Sequence, residues 1–77
     1  MNLVGYAIKT LRISKGLTQE QLTAKCNLVG WDISRGTLAK IESKVRRVTD
    51  YEVSYLAKAL GVREQDLFNE IPSKKIK

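Results

Sequence analysis

Ser34-Arg35-Gly36-Thr37-Leu38-Ala39-Lys40-Ile41-Glu42 is the stretch on which the reading of this chain turns. Leu38 and Ile41 stand at i and i+3, which puts both on one side of a helix. Ser34, Arg35, Thr37 and Lys40 fall on the opposite side or around the helix start, and Ser34 is of the residue type that caps a helix N-terminus. One short helix therefore has an aliphatic face to bury and a polar, basic face with little bulk to show. An ordinary amphipathic surface helix has the same pattern. The rest of the chain decides between a solvated face and a recognition face.

Toward the N-terminus, Val4, Ile8 and Leu11 at i, i+4 and i+7 predict a first helix of roughly Leu3 to Lys15, ended by Gly16. Thr18 with Gln21 makes a T-x-x-Q capping box and opens a second helix. Leu22, Cys26 and Val29 carry its apolar stripe to about Leu28 or Val29, with Gly30 as a left-handed cap and Trp31 and Asp32 in the turn. The Ser34 helix ends near Ser43 or Lys44, and a loop runs from Lys44 to Val48. Thr49 with Glu52 makes a second capping box and opens a fourth helix, whose inward stripe is Val53, Leu56, Ala57 and Leu60 before Gly61. Arg63 to Asn69 reads as a short fifth helix with Leu67 and Phe68 inward. Pro72 and the basic residues after it read as a disordered tail. The expected organisation is an all-α bundle of five short helices over residues 1–71, with a flexible basic tail at 72–77.

Composition bounds what such a bundle does. Seventy-seven residues make one domain with a modest core. A lone Cys cannot form an internal disulfide, and without His it completes no zinc site, so helix packing carries the stability and no metal or cofactor is expected. Cys26 reads as a small buried apolar residue, and cysteine usage fits a reducing cytoplasm. Met1 to Tyr6 lacks the features of a signal peptide, and no apolar run is long enough to span a bilayer.

The net charge of +6 admits nucleic acid, an acidic membrane surface or an acidic protein as partner. Its distribution is more selective. Residues 35–47 hold five bases (Arg35, Lys40, Lys44, Arg46, Arg47) against one acid, whereas residues 50–70 hold five acids against two bases. That asymmetry favours one basic face.

A helix, a turn and a second helix presenting small polar and basic side chains is the layout of a helix-turn-helix, whose second helix enters the DNA major groove. The N-terminus of the front helix, with free N–H groups and a positive dipole end, faces a phosphate. Thr18, Gln19 and Glu20 occupy that end, where Gln19 either adds a side-chain N–H or stays in solvent. Arg35 bonds two acceptors of a guanine in such a geometry, a contact worth about 1–3 kcal/mol of discrimination. Lys40, about one and a half turns on, stays near the same face and bonds a guanine or a phosphate. Gly36 either lets the backbone approach DNA or sits in the first turn at small cost.

Three pieces in order make the resemblance specific: Gly16-Leu17-Thr18-Gln19-Glu20-Gln21-Leu22, Ile33 to Glu42, and Leu56-Ala57-Lys58-Ala59-Leu60-Gly61-Val62. Together they resemble the Cro/repressor-type helix-turn-helix regulators (the xenobiotic-response-element-like family) from about Val4 to Phe68. The resemblance implies a lambda-repressor-like DNA-binding domain that regulates transcription from double-stranded DNA. It implies base-edge positions at Ser34, Arg35, Gly36 and Lys40, and a base or phosphate contact at Thr37. It places a phosphate contact at Gln19 and a backbone-following loop at Lys44, Arg46 and Arg47. It also implies that Arg12 bridges Glu42 and locks the third helix to the first. The chain departs from the family in the turn, where about five extra residues lie between Asn27 and Asp32, and at Thr23, where a small Ala is usual. Trp31 lies in that insertion, where it packs over the helix end by default or else stacks on sugar and base edges or joins an interface.

A homodimer formed through the fourth and fifth helices would span two half-sites, with Tyr51, Tyr55, Phe68 and Ile71 as candidate interface residues. A competing class is a protein-binding module, such as an antitoxin or a phage or mobile-element adaptor. Enzymatic function is not expected: no His is present, Cys26 lies on an apolar stripe and the acids are scattered. Phage control, restriction–modification control, mobile-element regulation and toxin–antitoxin autoregulation all accommodate the pattern.

Overall fold

The computed structural model describes residues 3–43 and 48–69. Within them are five helices: α1 (Leu3–Ser14), α2 (Gln19–Leu28), α3 (Arg35–Glu42), α4 (Asp50–Leu60) and α5 (Glu64–Asn69). Helix α1 packs on α3, α4 and α5, while α2 packs on α3 and α4, and α4 on α5. Every helix sends at least one fully buried aliphatic into the shared core: Ile8, Leu22, Leu38 with Ile41, Leu56 and Leu67. Each such side chain contributes about 1.5–3 kcal/mol through burial.

The helix starts follow the capping chemistry. The Thr18 hydroxyl accepts from Gln21 N at 3.0 Å while the Gln21 carboxamide accepts from Thr18 N at 2.8 Å. Thr49 and Glu52 make the same exchange at the start of α4. Ser34 caps α3 by accepting from Thr37 N at 3.2 Å.

The lengthened turn has a defined construction. Gly30 takes φ 101°, a left-handed conformation that a side chain would strain. That lets Gly30 N donate to Asn27 O and Trp31 N donate to Cys26 O, the two bonds of a Schellman ending. The chain then folds Trp31 inward to 9% exposure, where its ring stacks on Tyr55 with centroids 5.8 Å apart. The Asn27 side chain donates to the carbonyls of Trp31 at 2.9 Å and Ile33 at 3.3 Å and pins the segment that delivers Ser34. The unusual turn is thus braced at both ends. Thr23 also fits, its hydroxyl donating to Gln19 O at 2.8 Å.

Three details correct the sequence reading. Phe68 is 47% exposed rather than inward, because adjacent residues on a helix point about 100° apart and Leu67 takes the core position. Helix α1 ends at Ser14 and α3 at Glu42, in each case slightly short of the expected limit. Helix α5 begins at Glu64, and Arg63 flanks it with its N–H donating to the Asp66 carboxylate at 3.0 Å. Cys26 is buried, and desolvation pushes its thiol up to about 11, so it stays protonated and is no nucleophile near neutral pH. Lys44, Arg46, Arg47, Ile71 and the 72–77 tail lie outside the described residues.

Candidate nucleic-acid interface

Helix α3 separates its faces cleanly. Leu38 and Ile41 are fully buried, whereas Ser34, Arg35, Gly36 and Lys40 are exposed and Thr37 is half-buried at the edge. The Ser34 hydroxyl is committed to capping, bonded to Thr37 N and lying 3.2 Å from the Thr37 hydroxyl, so its first task is to start the helix. Gly36 has an ordinary helical φ, and a Cβ built there would meet only Ser34 Oγ at 3.8 Å. Among the described residues, none requires glycine at that position.

The start of α2 lies beside the start of α3. Arg12, Thr18, Gln19, Glu20 and Arg35 line an open hollow of about 500 Å³ between them. The capping box occupies the N–H groups of Thr18 and Gln21 and leaves those of Gln19 and Glu20 at the positive end of the α2 dipole. An anion in the hollow would meet these donors and the Arg35 guanidinium, although Glu20 opposes part of that charge and the Arg12 guanidinium is already paired with Glu42.

Behind the hollow is an ion pair. Arg12 Nε donates to Glu42 Oε2 at 2.7 Å and Nη2 donates to Oε1 at 3.0 Å, a bidentate arrangement. The Arg12 side chain is 11% exposed and that of Glu42 is 2% exposed. Arg12 Nη1 also donates to the carbonyl of Leu17 at 2.8 Å, while Leu17 N donates back to Arg12 O at 3.1 Å. The end of α1, the linker before α2 and the end of α3 are thereby tied at one point. Among the described residues, no buried side-chain nitrogen or oxygen lacks a hydrogen-bond partner.

Gln19 occupies a position that sequence reasoning missed. Expected to reach a phosphate or stay in solvent, its carboxamide is engaged within the protein: Nε2 donates to Glu42 Oε1 at 3.0 Å and Oε1 accepts from Arg35 Nη1 at 3.3 Å. The spacings Gln19–Glu42 and Gln19–Arg35 carry no sequence signal, because only the packing of α2 on α3 makes them neighbours. Asn27, bonded to carbonyls only four and six residues on, was missed because the directions of those carbonyls follow from the turn itself.

Among the described residues, no helix is long and apolar enough to cross a membrane, and no cluster of His, Cys, Asp or Glu could hold a metal. A helix-turn-helix family model matches residues 8–67. The control protein C.BamHI of Bacillus amyloliquefaciens is 32% identical over 68 residues, which are 87% of this chain and 78% of that protein. The crystal structure of C.AhdI from Aeromonas hydrophila, a restriction-modification controller protein, superposes with a TM-score of 0.75 at 28% identity, covering 87% of this chain and 94% of that one. The wild-type restriction-modification controller protein C.Esp1396I superposes with a TM-score of 0.79 at 29% identity, covering 99% and 91%. With its five-helix bundle, its divided third helix and these relatives, the chain belongs to the Cro/repressor-type helix-turn-helix family of DNA-binding transcriptional regulators.

Proposed function

We propose that this protein binds operator DNA in the cytoplasm as a homodimer, with α3 of each protomer in the major groove of one half-site. The observation that carries this reading is the two-sided α3: Leu38 and Ile41 fix it in the core while Arg35, Gly36 and Lys40 remain open beside the start of α2. In this reading Arg35 bonds a guanine edge, and Lys40 and Thr37 contact base or phosphate. The start of α2, including the second N–H of the Gln19 carboxamide, faces a phosphate. Gly36 admits close approach of the helix backbone, and Lys44, Arg46 and Arg47 follow the DNA backbone.

Dimerisation falls to α4 and α5, where Tyr51 is 67% exposed and Phe68 47% exposed. Tyr55 is half-buried beneath Trp31 and contributes less to such a surface. The protein acts by occupying DNA rather than by turnover. The relatives named as restriction-modification controllers support a role in controlling a restriction–modification system.

Selection of duplexes from a random pool tests this reading, followed by titration of the winner against salt. A motif of two half-sites about one helical turn apart is expected. Three loop bases per protomer neutralising six phosphates give a slope of about −5 in log K against log salt. A pool that yields no motif, or binding indifferent to salt, would refute it.

A further inference from the structure

Gln19 stands at the first position of α2, between two charged groups of α3. Its carboxamide donates to Glu42 Oε1 at 3.0 Å and accepts from Arg35 Nη1 at 3.3 Å. A carboxylate only accepts and a guanidinium only donates, so one of the two amide orientations makes both bonds and the other makes neither. Glu42 is itself held by two bonds from Arg12, with its side chain 2% exposed. Arg12 and Gln19 thus both donate to Glu42, and Arg35 donates to Gln19, so a chain of hydrogen bonds joins the core to the open start of α3. Its inner end is a near-buried ion pair, and its outer end is the exposed arginine assigned to base reading. A long exposed arginine loses rotamer freedom when a base edge fixes it, and an acceptor that already aims the guanidinium reduces that loss.

We propose that Gln19 is a positioning residue for base recognition. Its amide, oriented by Glu42, directs the Arg35 guanidinium before DNA arrives, and Arg12 acts one step further back by fixing Glu42. The inference rests on the reading of Arg35 as a base contact. It separates from a pure phosphate role for Gln19, because loss of a phosphate contact weakens every sequence alike.

The test uses the full chain and the duplex selected by the wild type from a random pool. Three further duplexes carry each other base at the position where Arg35→Ala most reduces discrimination. Gln19→Ala, at a half-buried helix start where Glu42 keeps both its bonds from Arg12, is expected to reduce discrimination at that position about tenfold and leave it intact elsewhere. Equal weakening of all four duplexes overturns the inference. A second readout needs no DNA: 15N relaxation of the Arg35 Nε–H in the free protein. Gln19→Ala is expected to increase the mobility of that group, with Gln65→Ala on α5 as an unaffected control, and unchanged mobility in Gln19→Ala overturns the inference. Discrimination insensitive to Arg35→Ala at every position would bring down the site assignment and this inference together. Discrimination lost in Arg35→Ala but kept in Gln19→Ala removes the inference alone.

Discussion

Arg12→Ala is expected to destabilise the protein by about 3–5 kcal/mol, a large part of the margin available to a domain of this size. The substitution removes the cation and leaves the Glu42 carboxylate in a site where its side chain is 2% exposed. Gln19 then remains as a neutral donor, which cannot replace a bidentate guanidinium. The Leu17 carbonyl also loses a donor. The double variant Arg12→Met with Glu42→Leu removes both charges together and is expected to cost far less, because no unpaired charge stays behind. Urea unfolding followed through the single tryptophan, Trp31, reads both variants. A loss below about 1 kcal/mol for Arg12→Ala, as at an exposed ion pair, contradicts this account.

That pair also shows what the sequence could disclose. Family resemblance pointed to Arg12 and Glu42 as partners thirty positions apart, and the structure places them 2.7 Å apart. Local signals were legible for a local reason. Thr18 with Gln21, Thr49 with Glu52, and Gly30 each specify backbone geometry within a few residues, so the helix starts and the lengthened turn could be read directly. Phe68 was misread because apolar character alone does not say which of two adjacent residues a six-residue helix buries. The bonds of Gln19 to Glu42 and Arg35 carry no sequence signal, because these partners are 23 and 16 residues away and only tertiary structure gathers them. The brace at Asn27 depends on carbonyls whose directions follow from the turn it stabilises.

Leu38→Ala is expected to cost about 2–5 kcal/mol, since it empties a fully buried position on α3 without loss of any polar contact. Each kcal/mol lowers the melting temperature of a domain this small by about 4–8 °C, so the effect is large in a thermal scan. Arg35→Ala, on the exposed side of the same helix, is expected to change stability by no more than about 0.5 kcal/mol. The contrast matters more than either value. If α3 is divided between holding and reading, stability follows Leu38 and recognition follows Arg35. Comparable destabilisation by the two substitutions would mean that the exposed side also holds the fold, and the division would fail.

The central claim is that α3 reads bases from the major groove through Arg35. The most direct measurement places 7-deazaguanine, one position at a time, in the selected operator. This removes the N7 acceptor at the major-groove edge and leaves base pairing and the minor groove unchanged. One guanine in each half-site is expected to become sensitive for the wild type, with affinity falling about tenfold or more, and Arg35→Ala is expected no longer to sense the change at that guanine. Wild-type binding indifferent to the substitution at every guanine, or an equal loss in Arg35→Ala, would contradict it.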